Sequence, residues 1–128
     1  GKIYWSSKTD AHTIYGMVLE EFERGSIEKW GFPLKAEGDT QDMRGRYQNF
    51  EFGTLYYKWG DDKAYGVKDD ILSAYKLLGY EVGKLGFPQS DEKSVLSTSV
   101  RQSFENGYIQ VDLITKNVEI MIDGEVMS

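Results

Sequence analysis

Trp30-Gly31-Phe32-Pro33 returns later in the chain as Leu85-Gly86-Phe87-Pro88. The flanks repeat with it. Upstream, Ala11-His12-Thr13-Ile14 lines up with Ala64-Tyr65-Gly66-Val67, an offset of 53 (64 − 11). Downstream, Gln48-Asn49-Phe50-Glu51-Phe52-Gly53 matches Gln102-Ser103-Phe104-Glu105-Asn106-Gly107, an offset of 54 (102 − 48). A period of this length marks a copied supersecondary unit whose apolar faces are buried by stacking. The expected organisation is one module over 1–128, with repeat one at 1–53, repeat two at 54–107, and a half repeat with a cap at 108–128. Gly1-Lys2-Ile3-Tyr4 corresponds to Gly53-Thr54-Leu55-Tyr56, so the chain opens inside a repeat and is expected to be a piece of a longer protein.

Around the motif each block reads as strand, helix, loop, strand. Ile3-Tyr4-Trp5 and Leu55-Tyr56-Tyr57 are rich in strand formers. Apolar residues then recur at helical spacing: Ile14, Val18 and Phe22 in the first block, Val67, Ile71, Tyr75 and Leu78 in the second. The ungapped match from Ala11 to Phe22 predicts one helical element over that span. Gly25 and Gly79 stand where the stripes end and suit the position just past a helix. Proline cannot continue a helix and extends the residue before it, which puts Phe32 and Phe87 in extended backbone, plugging the core together with Trp30. Polar loops follow at Lys35 to Asp42 and at Gln89 to Ser97. Asn106-Gly107 predicts a two-residue hairpin turn with positive φ. Alternation at Ile109, Val111 and Leu113, and again at Val118, Ile120 and Ile122, predicts an antiparallel meander that caps the C-terminus, with a further turn at Asp123-Gly124. The fold class expected is α+β: tandem β-hairpin-plus-helix repeats with pseudo-symmetry, closed by that meander.

These elements resemble the LGFP repeat family. Leu85-Gly86-Phe87-Pro88, followed by Gln89-Ser90-Asp91-Glu92, is close to the family's motif and its continuation. Gly1-Lys2-Ile3-Tyr4-Trp5-Ser6, Ala11-His12 and Arg46-Tyr47-Gln48-Asn49-Phe50 are similar to further family elements. The first block departs at Trp30 and at Lys35-Ala36-Glu37, and the second at Tyr57-Lys58-Trp59, so ligand chemistry is expected to differ between copies. The resemblance implies a secreted, extracellular or cell-wall module. Such repeats occur beside catalytic domains in bacterial envelope proteins, including mycolyltransferases and peptidoglycan hydrolases. The implied partners are cell-wall glycan or peptidoglycan and a covalently linked catalytic domain in the parent protein.

Composition narrows the chemistry. The net charge of −6 argues against nucleic acid and against an anionic membrane surface. No apolar run approaches the roughly 18 residues of a membrane span, so no membrane insertion is expected. Cysteine is absent and His12 is the single histidine, which leaves no zinc pattern. Asp39 with Asp42, and Asp61 with Asp62, are weak calcium candidates. No metal and no cofactor are expected. A catalytic triad would have to use His12, whose repeat counterpart Tyr65 points instead to a hydrogen-bonding aromatic position. The acidic pairs Glu20-Glu21, Asp61-Asp62, Asp69-Asp70 and Asp91-Glu92 read as solvated faces rather than glycosidase pairs.

Aromatic supply is the stronger signal: 9 Tyr, 6 Phe and 3 Trp. Flat rings pack on the C–H faces of sugars while carboxylates and amides take the hydroxyls. Tyr4 faces opposite to Ile3 and Trp5 along its strand, and Tyr56 opposite to Leu55 and Tyr57. One set in each strand is expected to be core and the other exposed. Trp59, beside the Gly60-Asp61 turn, is the best candidate for a surface ring. The ligand-binding candidates are Tyr4, Trp5, His12, Tyr57, Trp59 and Tyr65, with no catalytic residue. The favoured reading is a non-catalytic wall-anchoring module, not an enzyme. The alternatives are a fragment of an envelope-acting hydrolase, and a protein-interaction or self-assembly module using the unpaired edge of Lys2–Trp5.

Overall fold

The computed structural model describes residues 1–123 and the backbone of 125–127. Its class is α+β, with two helices and several antiparallel sheets. The chain divides into two compact units, Gly1–Gly66 and Val67–Ser128. In the first unit β1 (Lys2–Ser6) pairs with β2 (Asp10–Ile14), and α1 (Gly16–Trp30) follows. Then come β3 (Gly38–Asp39), β4 (Gly45–Asn49) and β5 (Gly53–Lys58), in a sheet of order β3-β4-β5-β6 completed by β6 (Tyr65–Lys68). The second unit continues with α2 (Asp69–Leu77), a single 3₁₀ turn Tyr80–Val82, then β7 (Lys93–Val95), β8 (Ser99–Phe104), β9 (Gly107–Asp112), β10 (Val118–Ile122) and β11 (Glu125–Met127). These five strands form the antiparallel order β11-β10-β9-β8-β7, the meander the alternation predicted. Gly124 of the expected final turn lies outside the described residues. Among the described residues no helix is long and apolar enough to cross a membrane.

The helices start later than the apolar stripe suggested. Ala11 to Ile14 belong to β2, and Tyr65 to Lys68 to β6. Positive φ at Gly16 (51°) and at Asp69 (55°) turns the chain from strand into helix. Ile14 and Val67 are fully buried from strands, so their spacing to the helical Val18 and Ile71 mimics a continuous helical face. Gly79 takes left-handed backbone (φ 99°, ψ 15°) just past α2, as its position required. In the first unit the break falls one residue beyond Gly25, at Ser26 (φ 59°), which interrupts α1 before its final turn.

The core of the first unit gathers Ile14, Val18, Phe22, Trp30, Phe50, Leu55 and Ala64. Phe22 stacks on Phe50 with ring centroids 5.2 Å apart. The second unit builds its core on Tyr75 against Phe104, at 4.7 Å, with Ile71, Leu85, Phe87, Ile109 and Val111 also buried. Trp30 and Phe87 are core residues as expected, but Phe32 is only half-buried. The alternation in β5 also departs from a one-sided pattern. Leu55 and Tyr56 are both buried, because the middle of this strand is covered on both faces and Tyr56 stacks on Tyr47 across the β4–β5 pair. In β1 the alternation holds: Tyr4 packs edge-on against Phe22, while Ile3 is 70% and Trp5 63% exposed. β1 finds a partner for one of its edges locally in β2, in a two-stranded sheet.

The repeated motif is held the same way at each of its two places. Gly31 has φ 77° and ψ −173°, a combination that is essentially glycine-only, and Gly86 also has φ 77°. A Cβ on Gly31 would sit 2.6 Å from Glu51 Cβ, and one on Gly86 would sit 2.5 Å from Glu105 Oε1. The amide of Phe32 donates to Glu51 Oε1 at 2.9 Å, and that of Phe87 to Glu105 Oε1 at 2.9 Å. In return the Glu51 amide donates to the Phe32 carbonyl (3.1 Å) and the Glu105 amide to the Phe87 carbonyl (3.0 Å). Pro33 bridges Phe50, and Pro88 bridges Phe104. Buried Gln48 donates through Nε2 to the Lys35 carbonyl, and buried Gln102 to that of Ser90, each at 2.9 Å. The motif is thus a strap laid along a hairpin.

That hairpin corrects the turn expected at Asn106-Gly107. The two loop residues are Glu105 and Asn106, since Phe104 pairs with Gly107, and neither Asn106 nor Gly107 has positive φ. Glycine is required at 107 for space: a Cβ there would lie 1.7 Å from the Met121 carbonyl oxygen of β10.

Three stability measurements test this packing. Gly66→Ala would drive a Cβ to within 1.9 Å of Trp30 Cη2, and is expected to lower the urea-unfolding free energy by about 1–3 kcal/mol. Leu77→Ala, at a side chain 88% exposed, is expected to change it by no more than about 0.5 kcal/mol. Glu105→Ala is expected to cost about 1–3 kcal/mol, because the buried Phe87 amide then loses its acceptor.

Candidate functional site

The core of the first unit stays open at one end. Leu55 and Tyr57 share one face of β5, and Trp59, in the turn just past the strand, packs its ring against Tyr57. Leu55 is fully buried, Tyr57 packs partly against the core cluster, and Trp59 is 58% exposed. The sheet face therefore runs from the interior out to solvent as a row of progressively more exposed side chains. At its outer end lies a groove of about 310 Å³ lined by Tyr15, Met17, Val18, Tyr57 and Trp59, with Glu37 and Arg46 at the rim. Gly16 lets the chain turn into α1 here, bringing Tyr15 and Met17 to the lining.

The two principal rings are fixed relative to each other. Tyr57 and Trp59 meet at 89° with centroids 5.8 Å apart. The Tyr57 hydroxyl donates to the Asp61 carbonyl at 2.9 Å, which ties the ring to the turn following Trp59. The Trp59 amide donates to the Arg44 carbonyl at 2.9 Å. That carbonyl belongs to a loop organised by Asp42, which accepts from Thr40 Oγ1 (2.8 Å), the Arg44 amide (3.0 Å) and Arg44 Nε (2.9 Å). Partial burial alone would raise the Asp42 pKa, but these bonds to Arg44 and Thr40 outweigh it and hold the carboxyl below its ordinary value.

The rim is an ion triad. Arg46 stands opposite Tyr57 in the β4–β5 register. Its Nε donates to Glu37 Oε2 at 2.8 Å and its Nη1 to Asp39 Oδ1 at 2.5 Å. Hydrogen bonds to Glu37 and then to Asp39 raise the guanidinium's pKa, so it is permanently charged and fixed in direction. Chemically, the arrangement offers apolar ring faces beside a rim of orientated carboxylates around one cation. Asp39 is thus bound to Arg46, and Asp42 to Arg44, rather than the two being arranged around an ion. Among the described residues no group of three or more His, Asp or Glu side chains is placed to hold a metal.

Of the six ligand candidates, Tyr57 and Trp59 meet in this groove. The other four lie elsewhere in the first unit. Tyr4 and His12 face each other across the β1–β2 pair, and both are half-buried. Tyr4 also lines a separate hollow with Phe22, Glu23, Ser26 and Ile27. Trp5 projects from the outer face of β1, opposite Ala11. Tyr65 is half-buried in β6, with Lys63 Nζ 5.1 Å from its ring centre. Tyr15, Met17, Glu37 and Arg46 complete the groove and were not among the candidates. Strand parity from Leu55 links Tyr57 with Trp59, whereas nothing in the linear order brings residues 15–18 to the same place.

The hairpin register carries the offset of 54 into the second unit, where Gln48↔Leu55 is matched by Gln102↔Ile109. On that offset Val111 stands for Tyr57 and Leu113 for Trp59. The aromatic pair thus belongs to the first unit alone.

The family model of the LGFP repeat matches residues 31–83. The matched stretch starts at the glycine of the first motif and includes Arg46, Tyr57 and Trp59. No curated protein matches the chain.

Asp42 gives the site a measurable pH dependence. Its folded-state pKa is depressed, so the stability it contributes is complete above the ordinary carboxyl value of about 3.9 and fades as pH falls through the folded value. Thermal melts from pH 7 down to 2 are expected to show a loss of stability below about pH 4. Asp42→Asn is expected to melt lower at pH 7 and to lose less on acidification.

Proposed function

We propose, on the premise that this chain carries an LGFP repeat, that it is a non-catalytic extracellular module that anchors its parent protein to cell-wall polysaccharide or peptidoglycan. The observation that carries this reading is the groove itself. Trp59 is largely solvent-facing, yet its ring is set against Tyr57 and its backbone is tied to Arg44. Holding a large ring at the surface in one orientation forgoes the burial that would stabilise it most, and pre-organisation for a ligand is what such an arrangement gains. The carboxylate rim suits sugar hydroxyls.

In the same reading the two blocks are copies of one unit related by pseudo-symmetry. Support comes from the matched bonding of Gly31-Phe32-Pro33 and Gly86-Phe87-Pro88 on their hairpins. Val111 and Leu113 in place of the aromatic pair support a division of labour, with the first compact unit binding and the second serving mainly as structure.

Sedimentation with purified bacterial cell walls tests the reading. The wild-type chain is expected to co-sediment. Trp59→Ala is expected to weaken retention about tenfold, the roughly 1.4 kcal/mol that one aromatic contact supplies. A wild-type chain that stays in the supernatant at low salt would overturn the anchoring function.

A further inference from the structure

The charge around the groove says which kind of glycan it accepts. Glu37 and Asp39 share a single cation, Arg46, so the rim carries net negative charge. Arg46 spends Nε and Nη1 on these two carboxylates. The whole chain adds to this field with its net charge of −6. A phosphodiester or uronate brought onto Trp59 would meet the net negative charge of the Glu37–Arg46–Asp39 cluster. A hydroxyl group there meets carboxylate acceptors. The groove's 310 Å³ lies at the small end of the range for ligand sites, which matches one sugar ring rather than a folded chain segment.

We propose that this groove takes a single uncharged pyranose residue of a wall glycan, with its C–H face on Trp59 and its hydroxyls on Glu37 and Arg46 at the rim, and that it rejects anionic polymers. The inference rests on the anchoring function and narrows it to a ligand class. Tyr57, perpendicular to Trp59, forms the second wall, so the sugar is held against one ring while the other limits its slide. Glu37, with its side chain only 13% exposed, is the anchored acceptor, and Asp39, bonded to Arg46 from outside the groove lining, adds a second negative charge beside it.

The indole N–H signal of Trp59 in a ¹⁵N-resolved NMR spectrum, assigned by its disappearance in Trp59→Phe, reports on the groove directly. Three neutral probes are titrated: chitotetraose, maltotetraose and xylotetraose. Tetragalacturonate is the anionic probe. At least one neutral probe is expected to move the Trp59 signal in a saturable way, and tetragalacturonate is expected to leave it in place. The double variant Glu37→Gln with Asp39→Asn, checked for an unchanged fold by its remaining amide signals, is expected to respond to tetragalacturonate. The inference is overturned if none of the neutral probes moves the signal, or if tetragalacturonate moves it equally in the wild type. Walls retained equally by wild type and Trp59→Ala would overturn the groove assignment and leave anchoring standing. A saturable Trp59 shift in a chain that no wall preparation retains would do the reverse.

Discussion

The structure depends on one reciprocal bond pair, repeated once. A glutamate in the hairpin loop accepts the amide of the motif phenylalanine through its carboxylate, and gives its own amide to that phenylalanine's carbonyl. This is possible only because the residue before the phenylalanine is a glycine in backbone closed to other side chains, lying against the glutamate's own side chain. Proline then keeps the strap extended and sets it beside the hairpin phenylalanine. Each residue of Gly-Phe-Pro therefore has a separate physical task. The strap's outer residues, Leu34 and Gln89, continue the bonding to Asn49 and Ser103. An extended segment without a full ladder of its own is fixed in this way by a charged acceptor, two carbonyls and a buried glutamine, and polar backbone that would otherwise be orphaned is satisfied.

Much of this was legible in the sequence as recurrence, but not as cause. Gln48, Phe50 and Glu51 and their counterparts Gln102, Phe104 and Glu105 stood out because they repeat, and the structure supplies what repetition could not: which of them bonds the strap and which fills the core. The same recurrence misled where two periodicities overlap. Ile14, Val18 and Phe22 keep helical spacing although the first of them is on a strand, because a strand entering a helix through a positive-φ residue can deliver its last apolar side chain to the helix's own buried side. Asn106-Gly107 misled for a different reason. Glycine there answers to the crowding of Met121 across the next strand pair, a tertiary cause that imitates a local turn signal.

The candidate site shows the same limit more sharply. Strand parity alone joins Leu55, Tyr57 and Trp59 into one row, so half the groove could be read from the sequence. The other half comes from Tyr15 and Met17, at the strand-to-helix junction, and from Arg46 on the neighbouring strand. Register between β4 and β5 places Arg46 opposite Tyr57, and register is set by the turn at Glu51-Phe52, which the strap in turn holds in place. The strap is therefore upstream of the site: it fixes the hairpin, the hairpin fixes the cross-strand pair, and the pair fixes the rim against the rings.

This ordering separates the bonds of the strap, alike at the two motifs, from the surface chemistry of the strands beside them. The strap, the glutamate and the buried glutamine occupy positions whose side chains face backbone, where substitution leaves an unpaired amide or carbonyl. Positions 57 and 59 make no such demand. Trp59 contributes its amide to Arg44 whatever its side chain is, and Tyr57 gives up only one hydroxyl bond if replaced by an aliphatic residue. At those places the second unit has Val111, which is buried, and Leu113, which is exposed, and neither supplies a ring. A chain built in this way keeps its architecture in the motif and leaves the outer end of β5 open to change at least cost to the fold.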